Sequence, residues 1–305
     1  MSDTTFANTA GLGATAGDWL ALLKPRVLTL VVFTGAIGLV IAPVHMNPIL
    51  ALVAILCITI AAGAAGAINM WYDRDIDALM KRTANRPIPA GRISAEGALI
   101  FGVTLALFSV LVMAMATNLV AAGILALSIG FYVFVYTIWL KRRTPQNIVI
   151  GGAAGAFPAV IGWSAATGSV SLLPVLLFLI AFFWTPPHFW SLSLYASGDY
   201  ERAGVPMLPV ARGARYTRWN IFAYTLVLIP FTLAPWALGL MGWIYGVTAL
   251  ALGLTFLWYA WAVLTDAQDD KGKSLTKDAP AKAAVKYSIL YLFILFGACA
   301  VDRFL

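Results

Sequence analysis

Charged residues are scarce in this chain of 305 residues. Only 11% of its residues are charged, whereas 61% are hydrophobic. Because a soluble domain carries about a quarter charged residues, this composition excludes an ordinary water-soluble fold. Cysteine and histidine are scarce as well, with two of each. Cys57 and Cys299 lie in separate apolar runs without a Cys-x-x-Cys or Cys/His spacing, so we expect neither a disulfide nor a zinc site.

Long apolar runs take the place of charge. A helix needs about 20 apolar residues to cross a bilayer, and the chain has room for nine such helices with short loops. Eleven Trp and eleven Tyr suit the two interfaces of a membrane protein. We therefore predict an all-α polytopic membrane protein with nine transmembrane helices. The predicted spans are residues 27–43, 49–72, 95–115, 119–140, 147–166, 172–195, 219–239, 243–265 and 283–301.

Positive charge is missing from every second loop. All but one of the 20 Lys and Arg residues precede the first span or follow an even-numbered span, and the exception is Arg303. By the positive-inside rule, the N-terminus is cytoplasmic and the C-terminus periplasmic in a multi-pass protein of a bacterial inner membrane. The net charge of +7 then reflects topology and contact with anionic membrane lipid. We expect no nucleic acid partner.

The first residues lack the marks of a cleavable signal peptide, because no basic segment precedes Lys24. We expect residues 1–24 to form a cytoplasmic tail, disordered or lying on the membrane surface. Residues 25–305 then form a single transmembrane domain.

Polar side chains line one face of the chain where the second span ends. Asn69, Asp73 and Asp77 follow one another at steps of four, and each step turns a helix by about 400°. Carboxylates at the end of a membrane helix are costly unless they pair with or hold a cation. Asp75 points to the opposite side, and we expect it only to complement nearby cations. Its expected partners are Arg74, Lys81 and Arg82.

Cations follow this acidic run within two dozen residues. Carboxylates hold Mg²⁺, and Lys and Arg side chains hold phosphate. The combination predicts a Mg²⁺–polyphosphate site, and its membrane position favours an anion with a lipid tail. A helix–helix hydrogen bond remains an alternative role for Asn69. The cations of this stretch are Lys81, Arg82, Arg86 and Arg92.

Several other segments combine with the acidic run into a recognisable pattern. They are Lys24-Pro25-Arg26, Arg82-Thr83-x-x-Arg86-Pro87, Tyr136 through Pro158, Pro186-Pro187-His188-Phe189-Trp190, and Asp199 through Pro209. Together with the acidic run they resemble the UbiA superfamily of intramembrane prenyltransferases, and within it the branch that modifies haem. The resemblance extends from about Lys24 to the ninth span.

The resemblance implies a reaction, a cofactor and a set of site residues. The donor would be farnesyl diphosphate, the cofactor Mg²⁺, the acceptor haem B and the product haem O. The implied metal ligands are Asn69, Asp73, Asp77 and Asp199. The implied diphosphate-binding residues are Lys81, Arg82, Arg86, Lys141, Arg142 and Arg202. Tyr72, Tyr136 or Tyr195 could stabilise the allylic cation by a cation–π contact worth about 1–2 kcal/mol.

One departure from the superfamily leaves a second metal site open. Many members carry a second Asp-x-x-x-Asp run, whereas this chain has Tyr195-x-x-x-Asp199. One or two of the cations from Lys141 to Arg143 could be topology anchors only. For His188, the match to the family favours a role with haem or in proton transfer over that of a core hydrogen-bond donor.

Other functions stay open at this point. A UbiA-type enzyme could prenylate another acceptor, such as an aromatic acid, a quinone precursor or a chlorophyllide. An organic-anion transporter is less favoured, because transporters bind near the bilayer midplane and these charges lie at helix ends. The intact acidic run argues against a non-catalytic protein that only delivers haem. A downstream haem-modifying enzyme is a candidate partner.

Overall fold

Almost every apolar run of the sequence folds as one long helix. The structure, a computed structural model, describes residues 13–270 and 272–305, except for the side chains of residues 26 and 27. Most of the predicted tail and Lys271 of a basic loop therefore lie outside the described residues. The helices are Ala16–Leu22 (α1), Pro25–Val40 (α2), Pro48–Tyr72 (α3), Arg74–Leu79 (α4), Ala95–Ala116 (α5), Leu119–Leu140 (α6), Asn147–Gly151 (α7), Ala153–Thr167 (α8), Leu172–Tyr195 (α9), Ser197–Arg202 (α10), Leu208–Arg212 (α11), Ala214–Ala237 (α12), Trp243–Leu264 (α13) and Ala279–Phe304 (α14).

The predicted membrane architecture is confirmed. Eight helical segments are long and apolar enough to cross a membrane, with α7 and α8 counted as one, and the shorter α2 makes nine in the described part of the chain. The main differences are at α12 and α14, which begin at Ala214 and Ala279 rather than at residues 219 and 283. Their additional first turns carry cations. The predicted spans begin after these charges, because charge marks the edge of the apolar layer, whereas a helix can continue beyond that edge.

Two of the central helices touch through their backbones. A Cβ atom at Gly38 of α2 would lie 2.0 Å from the carbonyl oxygen of Ala159 in α8. A Cβ atom at Gly162 of α8 would lie 2.0 Å from the carbonyl oxygen of Gly35 in α2. Glycine is therefore required at this crossing, as at many close helix contacts in membranes.

The second half of α6, Phe131–Leu140, is a π-helix. The Thr137 hydroxyl donates to the carbonyl oxygen of Tyr132 over 2.8 Å, five residues back, and the Lys141 amide donates to the carbonyl oxygen of Tyr136 over 2.9 Å. π-Helical turns are frequently found at functional sites. Here the wider turn ends at the polar residues described below.

The basic loops meet at one end of the bundle, which we call the basic end. The loop after α4, helix α7 and the segment around α10 pack together there through an apolar cluster. Val205 and Met207 are 1% and 2% exposed in that cluster. The Gly204–Pro209 segment, which is one of those that resemble the family, therefore also packs in the apolar cluster at this end. The other members are Ile76, Met80, Ile148, Tyr200 and Ala203.

The described part of the predicted tail is structured. Residues 16–22 form α1, and the Trp19 ring packs edge-on against Phe101 of α5 with 5.1 Å between the ring centres. Leu22 is fully buried in the same apolar cluster. The expectation of disorder is therefore wrong for residues 16–22, and the alternative of a segment lying on the membrane surface stays a prediction.

Candidate active site

The acidic run lies on one buried face where α3 ends. Asp73 and Asp77 are 0% exposed and Asn69 is 3% exposed. Although α3 stops at Tyr72, the Asp73 amide donates to the carbonyl oxygen of Asn69 over 2.9 Å, and the Asp77 amide to that of Asp73 over 2.8 Å. The helical path thus continues into α4 and keeps the steps of four on one side. The Asp75 side chain, by contrast, is 61% exposed.

Each buried carboxylate has one oxygen that accepts hydrogen bonds and one oxygen that accepts none. Lys141 donates to Oδ2 of Asp73, and Nη1 of Arg86 lies 2.6 Å from Oδ2 of Asp77. The Oδ1 atoms of Asp73 and Asp77 are buried without a hydrogen-bond partner. Buried oxygens without partners are unusual. Two such oxygens one helical turn apart are suitable ligands for Mg²⁺, which fits the predicted cofactor.

Asn69 connects the acidic face to two other helices. Its Nδ2 donates to Oδ2 of Asp73 over 2.7 Å and to Oγ1 of Thr137 over 3.2 Å. Its Oδ1 accepts from Nζ of Lys24 over 2.8 Å. The helix–helix hydrogen bond expected as the alternative role of Asn69 is therefore present, and its role as a metal ligand stays a prediction. Thr137 was not anticipated from the sequence.

Lys24 lies at the acidic face through its hydrogen bond to Asn69, a position that the sequence did not predict. It precedes α2 with a left-handed backbone, φ +54°, which is uncommon outside glycine. Burial, together with the charges of Arg86 and Lys141, lowers the pKa of Lys24 from 10.5 to about 7. Strained backbone often accompanies function, and the Lys24-Pro25 pair at a span start is the signal that could have indicated this residue.

Arg142 is held at the surface of the site by Asp75. Its two terminal nitrogens lie 2.7 and 2.6 Å from the two Asp75 oxygens, and Nη2 also lies 3.5 Å from Oδ1 of Asp73. This pairing raises the pKa of Arg142 and lowers the pKa of Asp75. The guanidinium carbon lies 4.8 Å from the centre of the Tyr72 ring. Asp75 is therefore exposed and paired with a cation as expected, but the cation is Arg142 rather than Arg74, Lys81 or Arg82.

The candidate cation-stabilising tyrosines differ in position. Tyr136 lies within electrostatic range of Asp73. The centre of its ring is 5.4 Å from that of Tyr132, a residue that the sequence did not predict at the site. A Cβ atom at Gly151 would lie 2.2 Å from Cδ2 of Tyr136, so glycine there makes room for the ring. Tyr72 lies against Arg142. Tyr195 is 38% exposed, with Nζ of Lys282 5.7 Å from its ring centre.

Asp199 does not join the other carboxylates. It pairs with Arg202, one turn further along α10. In the described part of the chain, no three His, Cys, Asp or Glu side chains form a group that could hold one metal ion. A role of Asp199 at a separate metal position stays a prediction, as does diphosphate binding by Arg202. Lys81 and Arg82 are exposed at the basic end, where their roles also stay predictions.

His188 lies on α9 and makes its hydrogen bond to α14. Its Nδ1 is 2.7 Å from Oγ of Ser288. Its ring stacks on that of Trp184, with 4.5 Å between centres and 14° between planes. The structure therefore places His188 between two membrane helices, and not in the group of Asn69, Asp73 and Asp77.

A polytopic helical fold with a buried acidic face among cations defines a class of intramembrane enzymes. The sequence profile of the UbiA prenyltransferase family matches residues 31–299. The chain belongs to this family, as its motifs predicted.

Close relatives and solved structures agree with this assignment. A relative from Acidiphilium cryptum is 68% identical over 99% of this chain and 96% of its own length, and one from Granulibacter bethesdensis is 65% identical over 95% and 92%. Both are named protoheme IX farnesyltransferase.

Among solved structures, a digeranylgeranylglyceryl phosphate synthase has a TM-score of 0.76 at 18% identity, over 94% of this chain and 98% of that one. A UbiA homologue from Archaeoglobus fulgidus bound to DMAPP and Mg²⁺ has a TM-score of 0.66 at 17% identity, over 92% and 99%. At these identities the likeness concerns the fold.

Proposed function

We propose that this prenyltransferase joins the farnesyl group of farnesyl diphosphate to a vinyl carbon of haem B and so forms haem O. The C–O bond to diphosphate breaks, and the diphosphate leaves with the electron pair. The vinyl carbon forms the new C–C bond, and water adds to the neighbouring carbon with loss of one proton. Identities of 65–68% to relatives named for this activity support the acceptor.

The observation that carries the proposal is the pair of unpartnered oxygens on Asp73 and Asp77 among buried cations. When bound there, Mg²⁺ would neutralise the diphosphate and make it a better leaving group. Asp73 and Asp77 would hold the metal, with the amide oxygen of Asn69 nearby. Lys141 and Arg86 already lie at these carboxylates and would take up the negative charge that develops on departure.

The aromatic residues of α6 are placed to shield the farnesyl cation. Tyr132 and Tyr136 lie close to Asp73, on the π-helical half of α6. Their ring faces would stabilise a cation leaving the diphosphate and would exclude water from it. Tyr72 is less suited, because its ring lies against the Arg142 guanidinium.

A reconstituted reaction tests the proposal. Purified protein in detergent is incubated with farnesyl diphosphate, Mg²⁺ and haem B, and mass spectrometry measures the farnesylated product. Parallel reactions contain an aromatic acid or a quinone precursor in place of haem. Product from haem alone supports the proposal. Product from another acceptor and none from haem would contradict haem B as the acceptor, while the assignment as a prenyltransferase would stand.

We further propose that the basic end faces the cytoplasm of a bacterial inner membrane. Nearly all Lys and Arg residues lie at this end, which is the basis of the proposal. Cys57 and Cys299 are buried, so they offer little background to thiol labelling. A cysteine at exposed Leu275 should label only from the cytoplasm, and one at exposed Val44 only from the periplasm. The reverse pattern would contradict the orientation.

A further inference from the structure

Three side chains on α9 and α14 form a unit around His188. The indole nitrogen of Trp184 donates to the carbonyl oxygen of Ser288 over 2.8 Å, and the Ser288 hydroxyl oxygen lies 2.7 Å from Nδ1 of His188. The Trp184 ring stacks on the imidazole, while Phe189 meets it edge-on at 90°. Ser288 is fully buried. Both the position and the plane of the imidazole are therefore set by its neighbours.

The protons of this unit can be counted. A serine hydroxyl has one proton to donate. The Ser288 hydroxyl donates it to the carbonyl oxygen of Val285, one turn back in α14, over 2.8 Å. Toward His188, the Ser288 oxygen then acts as an acceptor. With the Ser288 proton assigned to the Val285 carbonyl oxygen, Nδ1 of His188 donates this hydrogen bond, and in the neutral ring Nε2 is the nitrogen with the lone pair.

Nε2 of His188 has no hydrogen-bond partner among the described residues. Among the described residues, His188 makes only the hydrogen bond at Nδ1, and Nε2 is not one of the fully buried polar atoms that lack a partner. Nε2 is therefore not fully buried and keeps some accessible surface.

We infer that Ser288 is a positioning residue, which holds His188 as the Nδ1–H tautomer so that Nε2 binds the iron of the haem acceptor. Histidines that bind metals usually donate their other ring proton to a neighbouring oxygen, which fixes both tautomer and orientation. The Ser288 oxygen occupies that position here. Iron in a porphyrin needs only an axial ligand from the protein, so a single histidine is sufficient. The iron-binding part of the inference rests on the proposed function, whereas the tautomer does not.

The tautomer can be measured without any substrate. The chain has only two histidines, His45 and His188, so a His45→Gln variant with ¹⁵N-labelled histidine reports on His188 alone. At about pH 8, where an ordinary histidine is neutral, NMR should show a protonated Nδ1 and an unprotonated Nε2. Ser288→Ala should give a mixture of tautomers, and Ser288→Thr, which keeps the hydroxyl, should restore the native pattern. A protonated Nε2 of His188 in the protein that retains Ser288 would overturn the inference.

Haem titration tests the iron contact. Haem B added to the detergent-solubilised protein should give the absorption spectrum of histidine-ligated haem, and His188→Ala should lose it. Added imidazole should restore that spectrum to His188→Ala. Ser288→Ala should weaken haem binding by about tenfold to a hundredfold, the usual effect of losing an outer-shell partner. Binding of a farnesyl diphosphate analogue should not change in these variants.

A matched control separates positioning from packing. Ser193 is also fully buried, and its hydroxyl donates only to the carbonyl oxygen of Trp190 in its own helix, over 2.9 Å. Ser193→Ala should leave the tautomer and the haem spectrum unchanged. Unchanged haem affinity in Ser288→Ala, or an unchanged spectrum in His188→Ala, would overturn the inference. A protein that binds haem through His188 but forms no haem O would contradict the proposed function and leave this inference intact.

Discussion

Replacing Asp73 by Asn tests the acidic face with the smallest change of shape. Asp73 is 0% exposed, and its Oδ2 accepts from Lys141 and Asn69 while its Oδ1 has no hydrogen-bond partner. Asp75, two residues later, has a side chain that is 61% exposed and pairs with Arg142. Asp73→Asn and Asp75→Asn therefore remove the same charge from opposite sides of one helical turn, and Asp75→Asn is the matched control.

The two substitutions should differ strongly in magnitude. Asp73→Asn leaves the Lys141 ammonium, whose side chain is only 14% exposed, without its carboxylate. Removing one partner of a buried ion pair costs about 3–5 kcal/mol of stability, whereas an exposed pair is worth about 0–1 kcal/mol. Asp73→Asn also removes a proposed metal ligand. Turnover should fall by more than the roughly tenfold to hundredfold loss seen for outer-shell partners, and Asp75→Asn should cost less than about tenfold.

Two measurements on each variant separate stability from chemistry. Thermal unfolding in detergent gives the loss of stability, and mass spectrometry of farnesylated haem gives turnover with Mg²⁺ in excess. EDTA should inhibit the unmodified protein, and added Mg²⁺ should restore it. If Asp75→Asn lowers turnover as much as Asp73→Asn does in folded protein, the assignment of the two faces is wrong. Retained turnover in Asp73→Asn would remove this residue from the metal site.

Three further predictions concern the surroundings of the carboxylates. Arg86→Gln should weaken binding of a non-hydrolysable farnesyl diphosphate analogue by about tenfold to a hundredfold without changing haem binding; equal affinity would exclude a contact with the diphosphate. Burial lowers the pKa of Lys24 to about 7, so the side chain is largely neutral above that pH. An anion favours the charged form, so binding of the analogue above pH 7 should take up a proton. Its affinity should therefore fall by up to about tenfold per pH unit above pH 7. Lys24→Met should lose that part of the pH dependence, and a profile unchanged from the unmodified protein would contradict the assignment. Gly151→Ala would place a Cβ atom 2.2 Å from Tyr136 and should cost about 1–3 kcal/mol in thermal unfolding, whereas Gly155→Ala, with open space around it, should be neutral or stabilising.

The membrane architecture could be predicted because one property dominates it. A helix must be apolar over the full thickness of the bilayer, so each long run corresponds to a helix. The bounds of Leu119–Leu140 and Leu172–Tyr195 match the predicted spans residue for residue. The shared face of Asn69, Asp73 and Asp77 was also predictable, since it depends only on helical period.

Contacts between distant segments could not be predicted in the same way. Lys24 reaches Asn69 across 45 residues of sequence, and nothing near Lys24 in the sequence identifies Asn69 as its partner. Nothing in the sequence from Phe131 to Leu140 marks a π-helix. Three consecutive cations follow that helix, and only the structure shows that Lys141 and Arg142 pair with carboxylates while Arg143 is exposed.

The charge balance of the buried site explains why these cations are there. Two carboxylates, Asp73 and Asp77, lie with three cations, Lys24, Arg86 and Lys141, whereas Arg142 is balanced by Asp75. A site that held only a metal ion would carry an excess of acid, and a site that held only an anion would not need buried carboxylates with free oxygens. The combination suits a metal and an anion that arrive together. An excess of one buried cation is costly without that anion, which is consistent with the lowered pKa of Lys24.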